Sequence, residues 1–374
     1  MFFEKEAKMK LNQKLGFLFL LKTIFLFSFS VDLHGFQFVL FDDIFEKNKE
    51  ILIRTGKLEV GQLHLMRTDF YNNILFLDAK GRQLLLFDQE GKFIKRIGSK
   101  GQGPGEFVAP SGLGIDLEGN ILVSDSQSRR INAYDKDGIF STSFIISGLH
   151  GPPNNICVDS KGNYYLGAFK IDPDKPQSGE GLFINKYDSK GKYLKSFYPR
   201  NTAQLWLLNI YPFPCFDLDA ENNIYAAQMN AYEISVFDSE GTVLETIGEA
   251  PSYFKRPEPG IEIDYSKFKN QSELIKKLTE LSKSWTKLLS IKVIENQYLL
   301  LELEMNNLVK GFDKKFTIDI LDKRGRILAG GIQSDYKFLC TDKDGYLYFL
   351  IHTDEEVTIK EPEYRIGKYK LKLD

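Results

Sequence analysis

Histidine and cysteine are the side chains that most often bind metal ions or act as nucleophiles, and both are scarce in this sequence. The four histidines are scattered along the chain, at His34, His64, His150 and His352. A zinc-dependent lyase or hydrolase gathers several histidines around one metal ion. The sequence also lacks a Gly-x-Ser-x-Gly motif, the strained turn that exposes the serine of α/β-hydrolases. It therefore gives little support to either kind of enzyme.

The three cysteines are odd in number and form no Cys-x-x-Cys pair. They are Cys157, Cys215 and Cys340, and each lies among apolar residues. Neither a disulfide framework nor a zinc site follows from this spacing. We predict that all three are small buried side chains.

Three short segments resemble parts of ligand-binding loops. Residues 135–138 and 342–345 both read Asp-Lys-Asp-Gly but lack the later oxygen ligands of a calcium loop, which predicts hairpin turns. The glycine-rich segment 98–105 lacks the Gly-Lys-Ser/Thr ending of a phosphate loop, which predicts a connection between repeats. No cofactor is predicted from these motifs. A divalent cation such as calcium in a central channel stays open as an alternative, because residues from several repeats would bind it without a local motif.

Composition favours a large β-structure and argues against a nucleic-acid partner. Forty-nine Lys and Arg against 51 Asp and Glu give the 374-residue chain a net charge of −2, too low to neutralise a polyanion. Thirty Phe, 18 Tyr and 30 Gly against five Met favour pleated strands and tight turns over helical bundles.

The first 35 residues have the charge-then-apolar order of a secretory signal. Four lysines precede an apolar run over residues 15–31, and Ser28 and Ser30 supply small side chains for cleavage. Lys22 splits the run into pieces too short to span a membrane comfortably, so a cleaved signal is favoured over a retained anchor. A mis-assigned start is the remaining alternative. We expect an exported protein, periplasmic, in the cell envelope or extracellular, that contacts the membrane only through this segment if it is not cleaved.

The sequence repeats itself. Six residues recur 47 positions later, in the pairs Asn73/Asn120, Asp78/Asp125, Arg82/Arg129, Phe87/Tyr134, Asp88/Asp135 and Gly91/Gly138. A shorter pattern extends over the chain: an aliphatic residue, then Phe, Tyr or Leu three positions later, then Asp, then Gly. It occurs as Leu84/Phe87/Asp88/Gly91, Ile131/Tyr134/Asp135/Gly138, Ile184/Tyr187/Asp188/Gly191, Ile234/Phe237/Asp238/Gly241 and Ile318/Leu321/Asp322/Gly325, with a truncated copy at Ile366/Tyr369.

These repeats predict a six-bladed β-propeller. Asp opens a turn by accepting backbone N–H groups, and Gly or Asn supplies the positive φ that closes it. A second turn lies upstream of each copy, so each repeat has four strands, and six such units fill residues 36–374. The last copy ends before its outer strand. We expect the N-terminal chain, residues 51–54 or 36–40, to supply that strand and close the ring.

The segment between the first two repeats carries a family resemblance. Residues 97–107, Pro110, and the run 116–125 followed by Arg130 and Ile131 resemble an NHL repeat, and the chain is most similar to bacterial exported six-bladed propellers related to that family. The resemblance is sharp over residues 63–140, recognisable over 154–248 and weak over 260–374. It implies the fold strongly and the function weakly, since such propellers include ligand scaffolds and a few enzymes.

One segment departs from the repeat. Apolar residues at helical spacing predict an amphipathic helix over about 270–289, with Asn270 as N-cap and Glu273 three residues later. The apolar residues are Leu274, Ile275, Leu278, Leu281, Trp285, Leu288 and Leu289. The helix either covers apolar propeller surface or docks a partner.

Two features of the repeats bear on function. The pairs Asp78/Arg82 and Asp125/Arg129 occupy the same position in successive repeats, which favours a scaffold role in which they tie adjacent strands together. In contrast, an expanded loop at 170–181 and an aromatic link near 206–213 break the repeat and predict a ligand surface around the channel mouth. Loop position alone nominates the contacts Lys170, Trp206, Tyr211, Met229 and His352.

The sequence leaves three functions open. It favours a non-enzymatic exported scaffold that binds a protein, peptide or glycan of the cell envelope through this loop face. The alternative is a propeller enzyme, a lactonase-like hydrolase or a lyase, with a metal ion at the channel mouth. A third reading is a structural role in an envelope assembly, docked through the helix.

Overall fold

The strands of this protein fall into six four-stranded antiparallel sheets. The computed structural model describes residues 39–55, 58–61, 63–146, 148–149, 153–171, 181–199, 214–257, 264–305, 311, 314–353 and 363–373. They all belong to one unit, Val39–Asp374. A short helix and one strand come first: α1 (Phe41–Ile44) and β1 (Phe45–Arg54).

Each of the first five sheets is a meander of four consecutive strands. Blade 1 contains β2 (Leu63–Thr68), β3 (Ile74–Asp78), β4 (Gln83–Phe87) and β5 (Phe93–Ile97). A two-stranded parallel pair, β6 (Ser99–Lys100) and β7 (Glu106–Phe107), follows it. Blade 2 contains β8 (Pro110–Ile115), β9 (Ile121–Asp125), β10 (Arg130–Tyr134) and β11 (Phe140–Ile145). Blade 3 contains β12 (Ile156–Val158), β13 (Tyr164–Ile171), β14 (Gly181–Tyr187) and β15 (Tyr193–Pro199).

The remaining blades follow the same order. Blade 4 contains β16 (Pro214–Leu218), β17 (Ile224–Gln228), β18 (Ile234–Phe237) and β19 (Val243–Ile247). A 3₁₀ turn (Tyr265–Lys267) and the helix α2 (Gln271–Ser282) come next. Blade 5 contains β20 (Lys287–Ile294), β21 (Tyr298–Glu304), β22 (Phe316–Asp322) and β23 (Ile327–Ser334). Blade 6 contains β24 (Lys337–Thr341), β25 (Leu347–Thr353), β26 (Glu363–Leu371) and, as its fourth strand, β1. The predicted six-bladed propeller is confirmed.

The two ends of the described chain meet in blade 6. Strand β1 pairs antiparallel with β26, placing Ile51 opposite Ile366 and Ile53 opposite Tyr364. Residues 51–54 were one of the two segments expected to close the ring, and this expectation is confirmed. The pairing satisfies the backbone N–H and C=O groups of β26, which would otherwise form an open sheet edge.

The apolar core lies between the blades. The buried apolar side chains form six clusters, and each cluster takes its residues from two neighbouring blades. Because both faces of a sheet are covered, the middle strands β3, β4 and β9 are buried along their whole length. This explains why these strands read as continuous apolar runs and not as alternating patterns.

The motif that repeats through the sequence ends in a β-bulge. In blades 1 to 5, the register of the third and fourth strands shifts at the residue before the turn aspartate. These residues are Phe87, Tyr134, Tyr187, Phe237 and Leu321, all at most 2% exposed. The aromatic or leucine side chain therefore fills the space between blades while the backbone bends into the turn.

The insertion before blade 5 is a helix, but it is shorter than predicted. The Asn270 side chain accepts the N–H of Glu273 at 2.9 Å, so the predicted N-cap is confirmed. The prediction that the helix extends to residue 289 is wrong, because α2 ends at Ser282 and Leu288 belongs to β20. Buried Trp285 lies in the connection between them. Apolar residues three or four apart suit a helix, and the apolar start of the next strand continues that spacing, so periodicity alone cannot place the boundary.

The glycine-rich segment is an inter-blade connection, as predicted. It joins β5 to β8 and is held by internal bonds, including that from the N–H of Gly103 to Glu106 Oε2 at 2.7 Å. Phe107 is fully buried at its end. Within the described part of the chain, no helix is long and apolar enough to cross a membrane.

Candidate functional site

The two ends of the propeller differ. At one end of the propeller, each blade has a turn between its first and second strands, and blades 1 to 5 have another between their third and fourth strands. We call this end the turn face. The opposite end, with the connections between second and third strands and between blades, is the loop face.

One hydrogen-bond pattern builds the turn face. At the turn that opens with Asp116, Oδ1 accepts the N–H groups of Glu118 (3.0 Å) and Asn120 (2.7 Å), while Gly119 takes a φ of 87°. Both side-chain bonds recur at Asp69, Asp88, Asp135, Asp159, Asp188, Asp238, Asp322 and Asp342. These carboxylates hold turns together. The two calcium-like segments are therefore hairpin turns, as predicted.

Neighbouring first turns are also bonded to each other. Asn222 of blade 4 accepts the N–H of Ser160 of blade 3 at 2.7 Å and donates to its hydroxyl at 2.8 Å. Asn296 of blade 5 accepts the N–H of Ala220 of blade 4 at 2.9 Å. The two asparagines have φ values of 67° and 56°, in the left-handed region that Asn tolerates. The turn face is thus a cross-linked scaffold.

The recurring Asp/Arg pairs have a structural role at the loop face. Asp125 accepts the N–H groups of Val108 (2.6 Å) and Ala109 (3.1 Å) through Oδ2 and that of Ser128 (2.9 Å) through Oδ1. It therefore ties its own turn to the connection that enters the blade. Arg129 has a φ of 52°, so this residue closes the turn through its backbone. The predicted scaffold role of the aspartate is confirmed.

The structure places three of the five predicted ligand contacts. Lys170 is the second-to-last residue of β13, and its Nζ lies 3.2 Å from the ring centroid of Tyr193 on the outermost strand. The carbonyl of Met229 accepts the N–H of Leu288 at 2.8 Å, joining blade 4 to blade 5. The backbone of His352 pairs with that of Arg365. Trp206 and Tyr211 lie outside the described residues. The role of all five as ligand contacts stays a prediction.

A different set of side chains converges at the centre of the molecule. First strands of neighbouring blades contact each other, as β2 does with β8 and β12 with β16, so they line the axis. One residue of each first strand lies two positions before the first turn. These six residues, which we call the channel ring, are Arg67, Gly114, Cys157, Asp217, Lys292 and Cys340.

Direct contacts link three members of the channel ring. Lys292 Nζ lies 2.9 Å from Asp217 Oδ2, and this oxygen also accepts the N–H of Val293 at 3.0 Å. The thiol of Cys157 lies 3.6 Å from Asp217 Oδ1. Arg67, Cys157 and Lys292 are half-buried, as expected of side chains that are surrounded by protein but face an internal channel.

The pKa shifts of Cys157 and Cys340 indicate which charges act on the channel ring. Burial raises the pKa of Cys340 to about 12, and the charges of Arg67 and Lys292 oppose that rise. Burial also raises the pKa of Cys157, again opposed by Lys292 and Arg67. Two cations from blades 1 and 5 thus act on thiols from blades 3 and 6. Because the thiols stay protonated at neutral pH, they are poor nucleophiles.

Two buried carboxylates lie in blade 5. Asp319 accepts the hydroxyl groups of Tyr232 and Tyr253, both at 2.7 Å, and the N–H of Gly331 at 2.8 Å. Glu302 accepts the N–H of Phe338 of blade 6 at 2.6 Å, and burial raises its pKa to about 7. Both are structural contacts between chain segments.

Within the described part of the chain, no group of three or more His, Cys, Asp or Glu side chains has the arrangement of a metal site. The channel ring could not be predicted from the sequence. Its only sequence signal is positional, two residues before each first turn, and the residue types there differ from blade to blade.

The fold and its repeated turns define a six-bladed propeller of the NHL-like class. A family model described as a 6-bladed beta-propeller matches residues 31–249. The match covers more than half of the chain, and the chain belongs to this family. The predicted resemblance is confirmed.

Relatives support the same class. The B-box type zinc finger protein ncl-1 of Caenorhabditis elegans is 26% identical over 156 residues, which span 40% of this chain and 16% of that protein. A Bacteroides fragilis structure described as an exported protein is 15% identical, with a TM-score of 0.59 over 90% of this chain and 97% of that chain. A duf4221-family structure from Bacteroides vulgatus is 13% identical, with a TM-score of 0.62 over 88% of this chain and 98% of that chain. At such identities the structures share the fold alone.

Proposed function

We propose that this chain is an exported, non-catalytic binding protein that holds a protein, peptide or glycan of the cell envelope on its loop face. The observation that carries the proposal is the difference between the two faces. The turns of the turn face are short, alike and bonded to each other, so that face is fixed by its own contacts.

The loop face has connections of unequal length. Residues 172–180 join β13 to β14, whereas residues 79–82 and 126–129 make the equivalent connections in blades 1 and 2. Residues 200–213 join blade 3 to blade 4. Connections of unequal length on one face of a domain are typical of surfaces that bind ligands. The apolar N-terminal segment and the exported structural relative support placement outside the cytoplasm.

Peptide and glycan arrays test the proposal. The purified full chain is compared with a variant in which the five predicted contacts are changed together, Lys170→Ala, Trp206→Ala, Tyr211→Ala, Met229→Ala and His352→Ala. A matched control carries Glu118→Ala and Lys161→Ala, two exposed turn-face changes. We expect the wild type and the control to bind the same probes and the loop-face variant to lose at least tenfold in affinity, about 1.4 kcal/mol.

Three results would contradict the proposal. One is equal binding by the loop-face variant, provided its thermal unfolding matches that of the wild type. Another is loss of binding in the turn-face control alone. The third is recovery of a bound probe in chemically altered form by mass spectrometry, which would favour an enzyme.

A further inference from the structure

We propose that the turn face lies on a lipid bilayer, with the side chains of Phe70, Tyr71 and Leu117 inserted among the lipids. We call these three side chains the apolar patch. Three observations support this inference: the exposure of the patch, the bonding of the polar groups beneath it, and the place where the N-terminal chain enters the propeller. The turn face is opposite to the loop face, so the inference does not depend on the proposed function.

The apolar patch is one continuous surface. Phe70 and Tyr71 lie in the first turn of blade 1 and are 43% and 44% exposed, and Leu117 lies in the first turn of blade 2 and is 69% exposed. The two aromatic rings are 5.5 Å apart, edge to face. A Cβ built on Gly119, in the same turn as Leu117, would lie 2.7 Å from the Phe70 Cβ, so the two turns are in contact.

The other first turns do not carry such side chains. Blades 3 to 6 have Ser, Lys, Ala, Glu, Asn or Asp at the two positions of Phe70 and Tyr71, which are residues 160–161, 220–221, 295–296 and 343–344. The turn itself therefore does not require apolar side chains there. Apolar side chains that are exposed together indicate a site of contact with a membrane or another molecule.

The polar groups beneath the patch are already bonded to each other. The Asn73 side chain donates to Asp69 Oδ2 at 3.0 Å, and the Asn120 side chain donates to Asp116 Oδ2 at 2.9 Å. A glycan has many hydroxyl groups, and each one buried without a partner costs free energy. The acyl chains of a lipid need only apolar contact. The patch therefore suits a lipid better than a glycan.

Two lysines flank the patch. Lys343 Nζ lies 4.6 Å from the ring centroid of Phe70, and Lys136 Nζ donates to the Tyr71 hydroxyl at 2.7 Å. At the surface of a bilayer, Tyr hydroxyls and Lys ammonium groups lie among the headgroups, while apolar side chains beside them reach the acyl chains. The flanking groups are thus of the types found at that depth.

The charges around the patch do not favour anionic lipids. Asp137 pairs with Lys136 at 3.0 Å, and Glu118 and Asp344 are exposed on the first turns of blades 2 and 6. Together with Lys343, these groups leave no excess of positive charge. The patch should therefore bind a zwitterionic bilayer through burial of apolar area, with little dependence on salt.

The N-terminal chain enters the propeller at the turn face. The carbonyl of Ile44 accepts the N–H of Lys372 at 2.8 Å. Lys370, two residues earlier, donates from Nζ to the carbonyl of Asp344 at 2.7 Å, and Asp344 belongs to the first turn of blade 6. The start of β1 therefore lies beside the first turns. Leu40, just before α1, is 66% exposed.

This entry point favours a bilayer over a soluble protein as the partner. In the sequence, the apolar run over residues 15–31 precedes Val39, with residues 32–38 between them. A membrane anchor in this run is the alternative that the sequence leaves open to a cleaved signal. Such an anchor would bring the turn face, and with it the apolar patch, to the membrane surface. The loop face would then point away from the membrane and stay free for its own ligand.

Tryptophan fluorescence of the purified full chain tests the inference on phosphatidylcholine vesicles whose acyl chains carry bromine, a quencher. Leu117→Trp places a probe in the patch. Ile145→Trp, at the 75% exposed end of β11, is the matched control. We expect vesicles to shift the emission of the Leu117→Trp chain to shorter wavelength and to quench it, and to leave the control unchanged. The signal of the wild type, which has two tryptophans of its own, is subtracted.

Two further measurements separate insertion from other contacts. Adding Phe70→Ala to the Leu117→Trp chain should reduce the quenching, because less apolar area is buried in the bilayer. Adding Val243→Ala, an exposed apolar side chain of blade 4, should not reduce it. Raising the salt concentration from about 0.1 M to about 1 M should leave the quenching unchanged, since the surface has no excess of positive charge.

Several outcomes would overturn the inference. One is an unquenched Leu117→Trp probe, whether or not the chain sediments with the vesicles, and another is equal quenching of both probes. Loss of quenching at high salt would show that charge holds the surface. A wavelength shift that grows with protein concentration without lipid would identify a second copy of the chain as the partner. If Leu117→Trp lowers the unfolding temperature, Tyr71→Trp replaces it and the same outcomes decide.

Discussion

The buried carboxylates of blade 5 differ in how many donors surround them. Asp319 accepts three hydrogen bonds from two tyrosines and a backbone amide. For Glu302, the one donor among the described residues is the backbone N–H of Phe338. Burial disfavours the charged form of a carboxylate unless donors compensate. Ionisation of Glu302 near neutral pH therefore places a charge in the core with a single donor, which lowers the stability of the folded state.

Glu302 should make stability depend on pH. Its pKa is about 7 in the folded protein against an ordinary value of 4.5, so the folded state binds more protons than the unfolded state between these values. The free energy of unfolding should therefore fall as pH rises, by about 2–3 kcal/mol from pH 5 to pH 8. Urea titrations at the two pH values measure it. The Glu302→Gln variant keeps an acceptor for Phe338 but has no charge, and should lose this component.

Glu118→Gln is the control for that measurement, since Glu118 is exposed and its removal should leave the pH dependence unchanged. If Glu302→Gln and the wild type lose stability in parallel as the pH rises, Glu302 does not stay buried and protonated in the folded protein.

At the level of elements, even the outermost strand of a blade can contribute to the core. β1 is the outermost strand of blade 6, and its buried side chains near the C-terminal end face the neighbouring blade. Ile51 and Ile53 are 2% and 0% exposed, and both belong to the cluster between blades 6 and 1. The strand thus contributes to the core as well as to sheet pairing.

Shortening Ile53 should destabilise the whole protein. Ile53→Ala removes buried methyl and methylene groups and leaves a cavity, so the free energy of unfolding should fall by about 2–4 kcal/mol. Glu46→Ala, on an exposed position of the same strand, should change it by less than about 0.5 kcal/mol. Chemical denaturation of both variants measures the difference. Equal stabilities would mean that β1 does not pack against the core in solution.

At the level of the whole molecule, closure joins the first described strand to the last. Every blade has neighbours on both sides, and six apolar clusters link the blades in turn. Without β1, the edge of β26 and one side of the apolar cluster between blades 6 and 1 would be exposed. Open edges with apolar side chains promote association between chains.

Removing β1 should convert a monodisperse protein into one that associates. A variant that lacks residues 1–54 is compared with one that lacks residues 1–38, which retains β1. Size-exclusion chromatography with light scattering should show larger species and a lower unfolding temperature for the shorter chain alone. Indistinguishable elution and unfolding of the two variants would show that closure through β1 is dispensable.

The sequence by itself determined the blade number and the turns, and it indicated that N-terminal chain closes the ring without deciding between residues 36–40 and 51–54. Asp, Asn and Gly form turns through local interactions, such as the hydrogen bonds of Asp116 and the positive φ of Gly119. Because these interactions span only a few residues, the spacing of Asp, Asn and Gly predicts the turns. The end of the helix could not be predicted, because Trp285, Leu288 and Leu289 continue the helical spacing of apolar residues beyond Ser282.

Only the tertiary structure decided which side chains share the channel. Arg67, Cys157, Asp217 and Lys292 lie on four blades and are of different types, so no repeat marks them as a group. Their proximity results from the first strands lining one axis at equal distance from their turns. Likewise, Lys170 meets Tyr193 because two strands of one sheet bring them together, which the length of the intervening loop does not reveal.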